Sequence, residues 1–169
     1  MRTLVTYMSQ TGNTKKIAEA IYEEIDGEKH IEEMATVDEP ESYDLMFVGY
    51  PIMQMAVPPL ANSFLNDRTK GKDVAIFVTH AVPEGFHEID KWMATAREAA
   101  KGANIVGTFD CQGELASHII DQLLRSDDPQ MKAFGKLGPM TMGQPDEGRV
   151  MRAKEFARNV MCKESKKVK

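Results

Sequence analysis

This chain reads as an α/β protein built on a doubly wound parallel sheet. Three observations predict it. Five short apolar runs rich in β-branched residues alternate with helical patterns along the chain. Two of these runs, Leu45-Met46-Phe47-Val48 and Val74-Ala75-Ile76-Phe77-Val78, are continuous rather than alternating. That is the pattern of strands covered on both faces by helices. Finally, a polar loop containing one glycine separates the first apolar run from the first helical pattern, and 169 residues suffice for one domain with a full core.

The strands are expected at residues 3–7, 30–34, 44–50, 73–79 and 104–109. A first helix is expected at about 13–25, with Ile17, Ala18, Ile21 and Ile25 inward and Gly27 beyond its end. The link from the second to the third strand holds Pro40 and acidic residues, with room for only a turn of helix. Pro58-Pro59 opens the next helix, which buries Leu60, Ala61, Phe64 and Leu65. A longer helix after Phe86 buries Ile89, Trp92, Met93, Ala96 and Ala100. The last spans about 148–161, with Val150, Ala153, Phe156, Ala157 and Val160 inward. Residues 114–147 form an insertion before it. Leu115, Ile119, Ile120, Leu123 and Leu124 predict an extra helix ending near Ser126, followed by a turn and a loop around Pro129, Met131, Phe134, Gly135, Gly138 and Pro139. The domain is expected to span 1–162, with 163–169 a frayed basic tail.

The loop Ser9-Gln10-Thr11-Gly12-Asn13-Thr14 lies between the run Leu4-Val5-Thr6-Tyr7-Met8 and the first helix. Backbone N–H groups at a helix start lack partners and carry partial positive charge, so this is a place for a phosphate. Gly12 removes a side chain that would block close approach. Ser9, Thr11 and Thr14 offer hydroxyl protons, and Asn13 offers an amide. The Walker spacing of two glycines before Lys and Ser or Thr is absent, and so is the paired-glycine dinucleotide fingerprint. A single phosphate monoester fits better than a pyrophosphate. The plainer alternative is a capped helix start.

The stretch Thr6-Tyr7-Met8-Ser9-Gln10-Thr11-Gly12-Asn13-Thr14-Lys15-Lys16-Ile17-Ala18 resembles the phosphate-binding signature of the flavodoxins. The pieces Gly107-Thr108-Phe109-Asp110-Cys111-Gln112-Gly113 and Gln144-Pro145-Asp146-Glu147 resemble a broader group of flavodoxin-domain proteins. The resemblance implies a flavodoxin-like fold, with strand order 2-1-3-4-5. It also implies bound flavin mononucleotide (FMN) and partner proteins, a reductase and an acceptor, between which electrons pass. In such sheets ligands sit beyond the carboxyl ends of the strands, where the winding reverses. By the same resemblance, two further loops flank the flavin ring. One begins at Tyr50-Pro51-Ile52-Met53-Gln54-Met55 and the other at Thr79-His80-Ala81-Val82, continuing to Gly85 and Phe86.

Tyr50, Met53, Met55 and Phe86 supply flat or polarizable surfaces for a ring. Neither loop has a Trp, and Trp92 sits at a helix-core spacing. Many flavodoxins place a glycine near the flavin N5, where a peptide flips on one-electron reduction. Residues 51–58 contain none, so a flip to φ > 0 costs on the order of 1 kcal/mol or more, and the one-electron-reduced flavin is expected to be poorly stabilised. His80 and His87 read as surface-loop histidines. A histidinium near the ring would instead stabilise a reduced anion, and a neutral one would relay a proton. Glu84 would repel an anionic flavin. Cys111 reads as a small buried residue.

Three functions compete. An electron carrier needs no acid, base or nucleophile of its own, and no catalytic triad is readable. An FMN-dependent oxidoreductase would use the 114–147 insertion as a wall, lined by Phe134, Met140 and Met142. A regulatory module would keep the fold without the flavin, against which the hydroxyl loop speaks. A net charge of −5 argues against general nucleic-acid binding and suits a basic partner patch or simple solubility. Two Cys without C-x-x-C spacing and four scattered His show no metal pattern. No apolar run approaches ~18 residues, which leaves no membrane span, and no leader pattern is readable. A cytoplasmic protein is expected.

Overall fold

A computed structural model describes residues 1–167. Five parallel strands form one sheet in the order β2-β1-β3-β4-β5. They are β1 (Arg2–Tyr7), β2 (Glu28–Glu33), β3 (Leu45–Pro51), β4 (Asp73–His80) and β5 (Asn104–Gln112). Connecting them are α1 (Asn13–Glu23), α2 (Pro59–Asp67) and α3 (His87–Ala99). The insertion holds α4 (Ser117–Leu124) and α5 (Pro129–Leu137), and α6 (Glu147–Lys167) closes the chain. Two 3-10 turns, Met34–Thr36 and Pro40–Ser42, are the only helical structure between β2 and β3.

The continuous apolar strands divide their side chains between two cores by strict alternation. Met46, Val48 and Tyr50 of β3 and Val74, Ile76 and Val78 of β4 face the α2–α3 layer, against Phe64, Leu65, Ile89, Trp92 and Met93. Leu45, Phe47, Ala75 and Phe77 face the α1–α6 layer, against Ile17, Ile21, Ala153, Ala157 and Val160. Gly49 pairs with Phe77 across the β3–β4 ladder. A Cβ at Gly49 would lie 2.0 Å from the Phe77 ring, so the glycine makes room for that ring.

Several boundaries differ from the expected ones. β2 starts two residues earlier, and Met34 leaves it for a 3-10 turn. α1 ends at Glu23, ahead of Gly27 at φ 88. β5 runs on to Gln112, because Asp110, Cys111 and Gln112 keep register with Val78, Thr79 and His80. Residues 129–137 are a helix rather than a turn and loop. Asp128 caps it through the Gln130 amide, and Gly135 and Gly138 let it lie against Leu123 and Ile120 of α4. The expected frayed tail is helical through Lys167, and its last two residues, 168 and 169, lie outside the described residues. Glu164 is buried there, and Lys167 Nζ lies 2.8 Å from Glu164 and 3.1 Å from Asp73. This pins the final turn to the start of β4.

Candidate functional site

The winding reverses between β1 and β3, and three loops leave the carboxyl edge of the sheet there, at residues 8–12, 52–58 and 81–86. The first carries the hydroxyl residues. Gly12 is the N-cap of α1 at φ 93, a left-handed conformation that suits glycine, with open space where a Cβ would stand. The amides of Gly12 and Lys15 converge on the Ser9 hydroxyl oxygen, at 3.2 and 3.3 Å. Both bonds are long. Among the described residues, the amides of Thr11, Asn13 and Thr14 have no partner. The helix start therefore presents a focal point already occupied by an oxygen atom, with further donors around it. Gln10 and Thr11 are exposed, and Lys15 adds an exposed cation.

Two of the expected donors are engaged by the protein. Thr14 is buried, and its hydroxyl lies 2.8 Å from that of Thr79, tying α1 to the end of β4. A hydroxyl donates once and accepts twice, so Thr14 keeps a free proton only if Thr79 is the donor of this pair. The Asn13 amide donates to the Glu114 carbonyl at 2.8 Å. A Cβ at Gly113 would meet that amide at 2.8 Å, so Gly113 serves close approach to the loop rather than a turn. Lys16 Nζ reaches the Pro145 carbonyl at 2.6 Å, which holds the insertion against α1.

The second loop is a tight turn. Met53 and Ala56 exchange two backbone hydrogen bonds, at 3.0 and 2.9 Å, around Gln54 (φ 50) and Met55 (φ 61). Two successive residues at positive φ make this a type I′ turn, which usually holds Asn-Gly. Residues 54 and 55 thus occupy the left-handed region without a glycine. The Trp92 indole N–H donates to the Met55 carbonyl at 2.8 Å, and Ile52 N–H donates to the Thr79 carbonyl at 2.8 Å. Trp92 lies in the α3 core as its spacing predicts, and from there it also holds this loop. Met53 and Pro51 are half-buried. Tyr50 offers no surface to a ligand. It is fully buried, its hydroxyl has no partner among the described residues, and burial pushes the phenol well above its ordinary range.

The third loop differs most from the sequence expectation. His80 is not a surface residue; its ring is buried between the Val82 carbonyl and Asp110. Val82 is buried, Ala81 is half-buried, and Gly85 turns the chain at φ 80. Phe86 is half-buried against the α2–α3 core, as are Met8, Ile52, Val57 and Phe134. Glu84 does not stand as a free negative charge, since Arg149 lies 2.9 Å from it and Arg152 pairs with the same oxygen. Cys111 is buried, and burial, helped by the charge of Glu84, pushes its thiol up to about 12. Met140 and Met142, on the insertion, are 69% and 73% exposed.

Sequence reasoning missed Asp110, Gln112 and Trp92 as supports of the loops. Only the longer β5 brings the first two beneath residues 80–82. Nothing in the spacing of Trp92 distinguishes a core indole from one that also donates a hydrogen bond.

The fold and the three loops define a chain of the flavodoxin class. The family model described as a flavodoxin domain matches residues 4–158, and the chain belongs to that family. It is 32% identical over 178 positions to the flavodoxin-like domain-containing protein BilS of Clostridioides difficile (strain CD3), spanning 98% of this chain and 99% of that protein. Solved structures share the fold at lower identity. Oxidised flavodoxin 2 from Bacillus cereus superposes with a TM-score of 0.64 at 22% identity, over 96% of this chain and 99% of the other. A flavodoxin from the domain Archaea gives 0.62 at 18%, over 96% and 98%. A flavoprotein from Lactobacillus acidophilus NCFM, solved in complex with FMN, gives 0.53 at 21%, over 64% and 92%. Among the described residues no helix is long and apolar enough to cross a membrane.

Proposed function

We propose that this chain holds FMN at the three loops and works as an electron carrier between a reductase and an acceptor protein. The observation that carries this reading is the helix start at the switch point. Its amides already converge on one oxygen, and others stand without partners. The cradle suits one phosphate group: Gly12 leaves open space, Thr11 is exposed, and Lys15 adds positive charge. Rotation of the Ser9 side chain would free the Gly12 and Lys15 amides for a phosphate oxygen. Beyond it, residues 52–55 and 81–86 form two walls. Half-buried Ile52, Met53 and Phe86 offer apolar contact, and the unpaired amides of Ala81 and Val82 offer donors. The bound flavin supplies one- and two-electron chemistry. The protein binds it, orients it and excludes water from it. The insertion, residues 114–147, belongs to the same domain and braces the phosphate loop through Glu114 and Pro145.

The test is titration of the purified protein with FMN and with riboflavin, read by flavin fluorescence and the visible spectrum. FMN should bind far more tightly. Thr11→Ala should weaken FMN by ~1.5–3 kcal/mol, the worth of a hydrogen bond to a charged group, and leave riboflavin unchanged. Equal affinity for the two flavins would overturn the phosphate assignment. Failure of the photoreduced holoprotein to reduce a heterologous cytochrome would overturn the carrier assignment.

A further inference from the structure

His80 closes β4, and its side chain is 1% exposed. Its Nδ1 lies 3.0 Å from the Val82 carbonyl oxygen, and its Nε2 lies 3.1 Å from Asp110 Oδ2. A carbonyl only accepts, so Nδ1 carries hydrogen and donates to Val82. His80 Nε2 faces the Asp110 carboxyl, which fixes the other end of the ring. The imidazole is thereby held at both ends. Its neighbours take the remaining carbonyls of the loop. Gly113 N–H donates to the His80 carbonyl at 2.8 Å, and Gln112 Nε2 reaches the Ala81 carbonyl at 3.4 Å. Three successive carbonyls, 80 to 82, are tied down by β5 and by His80. The amides of Ala81 and Val82 have no partner among the described residues. The neighbouring loop is held on the same plan. Trp92, whose ring centroid is 6.3 Å from that of His80, donates to the Met55 carbonyl.

We infer that His80, oriented by Asp110, is the positioning residue of the third loop. It draws the Val82 carbonyl toward the core and leaves the Ala81 and Val82 amides directed at acceptor atoms of a bound heterocycle. This rests on the FMN reading and assigns His80 to recognition of the ring rather than of the phosphate. His80 itself touches no ligand.

The test compares His80→Ala, His80→Asn, His80→Gln and Asp110→Ala, each titrated with FMN and riboflavin. An asparagine amide nitrogen stands about where Nδ1 stands and can still donate to Val82. A glutamine amide stands nearer Nε2 and can reach only Asp110. His80→Ala should weaken both flavins by the same factor, about tenfold, the equivalent of 1.4 kcal/mol. His80→Asn should recover most of that loss, and His80→Gln should not. Asp110→Ala should weaken both flavins by a smaller, equal factor. The inference is overturned if His80→Ala leaves riboflavin affinity within about twofold of the parent. Recovery by Gln equal to that by Asn also overturns it, as does a loss confined to FMN. If His80→Ala does not fold, the Asn and Gln pair decides alone. A parent protein that binds neither flavin would instead remove the FMN reading on which this rests.

Discussion

Met55→Gly should be more stable than Met55→Ala, although it removes one carbon more. The Met53–Ala56 turn holds Met55 at φ 61, next to Gln54 at φ 50. A left-handed conformation costs an L-residue ~1–2 kcal/mol, because its Cβ crowds the following carbonyl. Glycine has no such penalty, but its unfolded chain is freer by ~0.5–1 kcal/mol. Met55 is 43% exposed, and glycine and alanine both forfeit the apolar burial of the remainder, so the two variants are compared with each other. The hydrogen bond from Trp92 goes to the main chain and survives the substitution. Against the alanine variant the terms leave a net gain of about 0.5–1 kcal/mol for glycine. In a chain of 169 residues, 1 kcal/mol moves Tm by about 2–4 °C, so glycine should melt roughly 1–4 °C above alanine. The assay is thermal and urea unfolding of the flavin-free protein, with Met55→Ala as control. Alanine deletes the same side chain and keeps the positive φ, so it should be neutral or destabilising. A glycine variant that melts with or below the alanine variant would refute the reasoning.

Two further outcomes follow from the packing. Burial raises the Glu164 carboxyl above its ordinary range, and the neighbouring Asp73 adds to this against the pull of Lys167. Burial works to raise Asp73 as well, but hydrogen bonds from Glu164, Asn104 and Lys167 hold it below its ordinary range. Glu164 therefore contributes stability that is complete below the ordinary carboxyl range and lost as pH rises through its raised value. Asp73 contributes stability that is lost as pH falls through its lowered value. Glu164→Gln fixes the neutral form, so it should match the parent at roughly pH 4 and exceed it at roughly pH 8. Urea midpoints across that range check this, and a variant that loses as much stability as the parent toward the alkaline end would contradict it. Gly49→Ala would place a methyl 2.0 Å from the Phe77 ring and should cost about 1–3 kcal/mol or more. Chemical unfolding measures it, and Phe77→Leu in the same chain should restore part of the loss.

The sheet was legible from the sequence because its signals are local. Continuous apolar runs at 45–48 and 74–78, short and rich in Val, Ile and Phe, have the pattern of strands covered on both faces, and those strands lie inside the sheet. The loop at residues 9–14 was legible for a similar reason: strand, hydroxyl loop and helix start are adjacent in the chain. The extra helix α5 was not, since Gly135 and Gly138 read as loop residues until Ile120 and Leu123 are seen filling the space they leave. The helical end at 163–167 was hidden too. A run rich in Lys reads as a solvated tail, and only Asp73, far away in sequence, gives Lys167 and Glu164 a place to dock.

Local order thus identified the helix start at residues 12–15 with its free amides, because caps, amides and glycine act over a few residues. It could not say which side chains of the neighbouring loops face outward and which lie buried beneath them. Tyr50 and His80 are both polar aromatic residues at strand ends, yet both turn inward. The side a residue faces at the end of a strand depends on register with its neighbours. The partner waiting there, Asp110 for His80 and none for Tyr50, comes from other parts of the chain.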